Sequence, residues 1–186
     1  MVYVMQSPAR LPGRGLATYV RAESPDRFQF REGRVLAPVP PPAVFEFDGT
    51  SVDLGMLDFL PNNVSLPVAG PRAMQVLSRY AGEDYQPLPA VVRTLDATST
   101  EFTLLNITCT VNALDREKCV VDYIEGTSAI MGFRRLAYRD DGMGSRNLAR
   151  EAEYHSHILL SQKLVAELRA VNVTGATFRR PESMVL

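Results

Sequence analysis

Apolar and polar side chains alternate between positions 103 and 113. Thr103, Leu105, Ile107, Cys109, Val111 and Ala113 fall on one parity, and Leu104, Asn106, Thr108, Thr110 and Asn112 on the other. Successive side chains of a strand point to opposite faces, so the segment 102–113 reads as a half-buried strand. The cluster Asp115-Arg116-Glu117-Lys118 interrupts it. Cys119, Val121 and Tyr123 then resume the alternation against Val120, Asp122 and Ile124, which predicts a strand over 119–124 paired with the first as a hairpin. Helical spacing occurs twice. Ala73, Val76, Leu77 and Tyr80 follow i, i+3, i+4, i+7 behind a Pro71 suited to a first turn, predicting a helix over 72–80 that ends near Gly82. Leu164, Leu168 and Val171 share one face behind Ser161 as N-cap, predicting a helix over 162–171. A short strand, HSHILL, precedes that helix, residues 172–175 end it, and ATFRR returns as a strand.

The first sixty residues lack helical periodicity. LATYVRA, FQFREGRVL and AVFEFDG are extended candidates, and the stiff run Pro38-Val39-Pro40-Pro41-Pro42 reads as a spacer. The expected fold class is therefore α+β, an antiparallel sheet packed against a few short helices. A β-rich N-terminal lobe spans 1–60 and an α+β domain spans 61–186, because each helix has one apolar stripe that must be covered. The centre of SAIMGFRRLAYRDDGMGSRN, Asp140-Asp141-Gly142-Met143-Gly144, reads as a mobile loop.

Composition narrows the function classes. With 186 residues, 46% hydrophobic and 22% charged, the chain can build one good core. A net charge of -1 argues against a general nucleic-acid binder and against an electrostatic decoy of nucleic acid, both of which need a dense field of one sign. The opening MVYVMQSPARLPGRG is broken by prolines and arginines, unlike a signal peptide, and no run approaches the roughly 18 apolar residues of a membrane span. The expected location is the cytoplasm, so the sequons at Asn63, Asn106 and Asn172 read as chance matches. The two cysteines form no CxxC pair and read as small buried hydrophobes, although a cross-hairpin disulfide stays open if they are opposed.

Candidate chemistry is sparse. His155 and His157 could share a strand face as metal ligands, yet no third ligand is apparent, and they are expected at the surface. Gly13-Arg14-Gly15 and Gly142-Met143-Gly144 each begin a GxGxxG pattern that lacks its last glycine, and there is no nucleophile elbow or P-loop. The paired carboxylates Asp140 and Asp141, and Glu83 and Asp84, read as solvated loop residues. No catalytic residue, cofactor or metal is expected.

In order, LPNNVSLPVAGPRAMQVL, TLLNITCTVNALDREKC and HILLSQKLVAELRAVNVTGATFRRP resemble the C-terminal domain of immunity protein family eleven of the bacterial polymorphic toxin systems, over about residues 60–181. The resemblance implies a protein that binds and neutralises a cognate toxin. It also implies structural roles: Leu114 and Phe178 in the core, Asp115 in a turn, and Gly175 at positive φ. Many relatives carry serine at the position of Cys119, which weakens a redox or metal role there. An adaptor or regulatory protein-binding module is the second reading, and an enzyme reversing a toxin modification the third. For toxin contact the best candidates are Glu83, Asp84 and Tyr85, together with Arg134, Arg135, Asp140, Asp141 and Arg146. They lie at predicted turns, where charge sits beside an aromatic or arginine anchor.

Overall fold

The computed structural model describes residues 1–6 and 15–184. Along the chain the strands are β1 (Val2–Gln6), β2 (Ala17–Tyr19), β3 (Ala43–Phe47), β4 (Val68–Ala69), β5 (Tyr85–Arg93), β6 (Thr98–Ser99), β7 (Thr103–Ile107), β8 (Thr110–Val111), β9 (Val120–Tyr123), β10 (Ile130–Arg135), β11 (Leu148–Glu151), β12 (Ile158–Ser161) and β13 (Thr177–Arg179). The helices α1 (Ser51–Gly55), α2 (Pro71–Ala81) and α3 (Gln162–Ala170) complete an α+β fold in which β predominates.

One sheet runs β13-β1-β12-β11-β8 and is antiparallel except where β8 joins β11. Its two faces are both covered. Tyr3, Ile158 and Leu160 point into a core shared with α2 and α3, whereas Val2, Val4 and Leu159 point into a second cluster with Ala113, Met143 and Ala149. The other sheet runs β2-β3-β5-β7-β4, with β6 added to β5. Pro87 and Pro89 have no N–H to donate, and β3 pairs with β5 only from Ala90 onward, past both prolines. Beneath this sheet Tyr19, Phe30, Phe45, Phe47 and Leu104 form the third large cluster.

Both long helices form as their spacing predicts. Ser161 accepts a hydrogen bond from the Leu164 amide at 3.1 Å, and Leu164 and Leu168 are completely buried. Pro71 occupies the first turn of α2, whose Ala73, Leu77 and Ala81 face α3 in the shared core.

The predicted 102–113/119–124 hairpin does not form. β7 pairs with β5 and β4, and the chain then breaks at Thr108, whose amide donates to the Asp84 carbonyl at 3.1 Å. The remainder becomes β8 in the other sheet. The 119–124 strand instead pairs with β10 as a two-stranded ribbon that joins no third strand among the described residues. A second correction concerns FQFREGRVL. Asp26 caps a 3-10 turn over Arg27–Arg31 there by accepting from the Phe28 amide, and Phe30 enters the core. The Gly13-Arg14 part of the first glycine pattern lies outside the described residues.

Candidate functional site

The β9–β10 ribbon leaves the body at residues 119 and 135 and turns over residues 124–129. The Ile124 amide donates to the Ala129 carbonyl at 2.9 Å, and Gly126 takes φ +74° at the tip. In its register Val121 opposes Phe133 and Tyr123 opposes Ile130, so these four side chains share a face. At the root that face is sealed: Phe133 is 7% exposed and packs with Leu114, Leu136, Tyr154 and Tyr138. Towards the tip the cover runs out, leaving Tyr123 at 45%, with Ile124 and Met131 also exposed. Ile124 and Met131 follow Tyr123 and Ile130 along their strands, so the tip exposes apolar side chains beyond the sealed face.

The root is held by rings. Phe133 meets Tyr154 edge-on at 5.3 Å and stacks on His157 at 5.7 Å, while Tyr154 meets His157 at 4.6 Å. Burial lowers His157 to a pKa of about 4, and burial raises that of Tyr138. The Tyr138 hydroxyl and neutral His157 Nδ1 share a hydrogen bond of 2.5 Å. His157 is thus largely buried in a turn, not on the surface strand expected from HSHILL. The turn that carries Tyr154 and His157 is braced from β11. The fully buried Glu151 accepts from the Glu153 and Tyr154 amides at 2.6 and 2.8 Å, and Arg150 donates to the His155 carbonyl at 2.6 Å and to the Phe30 carbonyl at 2.9 Å. Burial raises the Glu151 pKa and lowers that of Arg150 to about 10. Sequence reading passed over this pair, since Arg-Glu inside a short apolar strand looks like any exposed strand end.

Charges on the ribbon are largely matched within the chain. Arg134 Nε lies 2.9 Å from Asp122 Oδ1, Arg135 Nε donates to the Lys118 carbonyl at 2.5 Å, and Lys118 Nζ lies 2.8 Å from Asp115. The side-chain hydrogen bond from Lys118 holds the Asp115 carboxyl below its usual range. Arg116 bonds both Glu153 and the Tyr123 hydroxyl.

Next to the ribbon runs the 139–147 loop, joined through the Leu114–Tyr138 bridge and the Arg139 amide's bond to the Ala113 carbonyl. Asp140 and Asp141 are exposed on it, Asp141 at 4.0 Å from Arg139 and Asp140 at 4.0 Å from the N-terminal amine. The loop is anchored by Asp84, which is 4% exposed. Its carboxylate accepts from the Asn147 and Leu148 amides, both at 2.9 Å, and from Arg146 Nη1 at 3.2 Å, and Cys109 Sγ lies 3.7 Å away. That bond raises the Arg146 pKa further, and burial raises that of the Cys109 thiol. Asn147 ties the loop to α2 and to the α3 cap through the Tyr80 carbonyl at 2.7 Å and Ser161 Oγ at 2.6 Å.

The eight residues nominated from sequence thus fall into distinct settings. Arg134 and Arg135 sit on the ribbon, Asp140 and Asp141 on the adjoining loop, and Arg146 is brought to Asp84 across 62 positions. Glu83 is exposed, whereas Asp84 and Tyr85 are buried, the Tyr85 hydroxyl 3.3 Å from Ser78 Oγ. Tyr123, Ile124 and Met131, the most exposed apolar side chains of the surface, were not among them. The available signal was the Glu125-Gly126 turn, which places them at a hairpin tip.

Cys109 and Cys119 are both half-buried and lie in different clusters. Cys119 Sγ contacts the Ala137 carbonyl and amide at 3.2 and 3.3 Å. Among the described residues, no group of three or more His, Cys, Asp or Glu side chains is placed to hold a metal ion, and no helix is long and apolar enough to cross a membrane.

A family model described as Immunity protein family (Imm11) matches residues 6–183, so the similarity takes in β2 and β3 as well as the C-terminal two thirds recognised from motifs. No curated protein matches the chain. With nearly its whole length under that match, the chain belongs to the Imm11 immunity protein family.

Proposed function

We propose that this protein neutralises a cognate bacterial toxin in the cytoplasm by stoichiometric binding, without chemistry of its own. The family match over residues 6–183 carries this reading, because immunity proteins act on a toxin. The contact surface is the β9–β10 ribbon with the adjoining loop. Tyr123, Ile124 and Met131 supply apolar side chains at the tip, while Arg134 and Arg135 on the ribbon and Asp140, Asp141 and Arg146 on the loop supply polar contacts. Apolar anchors accompanied by polar contacts are what a protein interface uses. Asp84 acts from beneath by fixing the loop, and Glu83 lies at its edge. With the ribbon charges matched internally, the surface presents apolar and hydrogen-bonding chemistry rather than a field suited to nucleic acid.

Co-expression with a candidate cognate toxin, at graded ratios of the two proteins, tests the mechanism through cell survival. Protection that appears only as this protein reaches parity with the toxin supports binding. Rescue of many toxin equivalents by one protein would mean turnover and would reject it.

A further inference from the structure

A two-stranded ribbon has two edges, and each carries backbone donors and acceptors that its one partner strand cannot reach. The body limits its own edges by shortness: the outermost strands β13, β8, β2, β4 and β6 have two or three residues each. β9 and β10 run for four and six. On β10 the register shifts between Ile130 and Gly132 and again between Phe133 and Arg135, each time setting an extra residue against β9, and such bulges spoil an edge for further pairing. β9 keeps a regular period.

The direction of the β9 backbone groups follows from that register. Tyr123 opposes Ile130, and the amide after Tyr123, that of Ile124, donates to the carbonyl before Ile130, that of Ala129. This is the pattern around a non-hydrogen-bonded pair, so the N–H and C=O of Tyr123 point away from β10, and by the period of two so do those of Val121. Among the described residues these groups have no other partner. Arg116 reaches the Tyr123 hydroxyl and Glu153 rather than this backbone. The usual guards of an edge are missing as well: Val120, Val121, Asp122 and Tyr123 include no proline, lysine or arginine, and the single charge, Asp122, is matched by Arg134 at 2.9 Å.

The side chains of β9 select what can lie alongside. Val121 and Tyr123 share a face on which Tyr123 is still 45% exposed, so β-branched or aromatic residues opposite them are favoured. Asp122 takes the other face, where a second carboxylate directly opposite is unfavourable. That condition disfavours a second copy of this chain. Antiparallel pairing of two β9 strands through Val121 and Tyr123 would set their two Asp122 side chains against each other, in the closer, non-hydrogen-bonded kind of pair.

We propose that the toxin is engaged by strand addition: an extended segment of it, apolar at alternate positions and neutral or basic between them, pairs with the open edge of β9 through the N–H and C=O groups of Val121 and Tyr123. This rests on the reading of the ribbon as the toxin-contact surface and gives that contact its backbone chemistry. The ribbon becomes a three-stranded sheet in the complex, and the exposed ring of Tyr123 gains a cross-strand neighbour.

Amide hydrogen exchange on the full chain, followed by NMR, tests this with the toxin that the protein neutralises in co-expression. In the free protein the Val121 and Tyr123 amides are expected to exchange at least about tenfold faster than those of Asp122 and Ile124, which face β10, and to slow at least about tenfold in the complex. Val121→Pro removes one outward N–H without breaking a bond to β10 and should weaken toxin binding about tenfold. If that substitution disturbs folding, exchange on the unaltered chain decides alone. Absence of any complex would reject binding as the mechanism and this inference with it. A complex in which both amides exchange as in the free protein, or one that a folded Val121→Pro chain forms with unchanged affinity, would overturn strand addition and leave the binding reading standing. Protection in the free protein that grows with its concentration would assign the edge to a second copy and overturn the proposal.

Discussion

The ribbon and the loop beside it both carry charge, yet they hold it in different ways. On the ribbon Arg134 meets Asp122, Lys118 meets Asp115 and Arg116 meets Glu153, at or near the surface, so little net field remains. Under the loop the buried Asp84 takes two backbone amides and Arg146. Matched surface pairs orient a contact but contribute little to stability, whereas removing a buried carboxylate strands the amides it satisfies. Contact through the ribbon should therefore be largely salt-insensitive, and stability should depend far more on Asp84 than on any ribbon charge.

The largest effect comes from removing what holds the ribbon side in place. Asp84→Ala leaves two buried amides without an acceptor and should lower unfolding stability by about 3 to 4 kcal/mol in urea titration. A loss below about 1 kcal/mol would mean that the loop amides and Arg146 find other partners, and would erase the contrast with the ribbon.

Acid should loosen the ribbon root next. His157 has a folded pKa of about 4, below the 6.5 of an unfolded histidine. Its contribution is thus fully present above pH 6.5 and is lost as pH falls from 6.5 to 4, up to about 3 kcal/mol. Urea titrations at pH 7 and 4.5 on the unaltered protein and on His157→Gln isolate this term. Glu151, whose pKa burial raises, titrates in both with the opposite sign. Equal pH dependence in the two would remove His157 from the account.

Truncating the exposed face should separate binding from stability. Tyr123→Ala with Met131→Ala is expected to cost about 2 kcal/mol in toxin affinity by calorimetry, and within about 0.5 kcal/mol in stability. A cost that changed strongly between low and high salt would mean that the ribbon charges do not stay matched in the contact. Smallest, Cys109→Ser and Cys119→Ser should each cost about 1 to 2 kcal/mol in stability and leave protection intact in the co-expression assay. Loss of protection without loss of stability would assign a thiol a role in function.

The helices were legible because their instructions are local. Ser161 caps its own helix and Leu164 and Leu168 repeat at its period, so no distant residue had to be known. The hairpin was misassigned because alternation tells which face a side chain takes and says nothing about which strand lies alongside. The true tip, one strand later at Gly126, had only a weak turn signal. β1 escaped notice since Val2, Tyr3 and Val4 are buried on both faces of their sheet and leave no polar alternation to read. Asp84 and Arg146 look like solvated loop charges until the fold joins them across 62 positions. Tyr123 looks like an inward strand position, and only the structure shows that the body beneath it has ended.

Residues 2–6 lie between β12 and β13, so β1 finds its two neighbours only after residues 158–161 and 177–179 have been synthesised. Pairings of such long range form slowly, so closure of this sheet waits on synthesis of residues 158–179 instead of proceeding as the chain emerges. Until then Val2 and Val4 lack Leu159, the strand neighbour that helps to bury them, and a chaperone that shields this segment would raise the yield of folded protein.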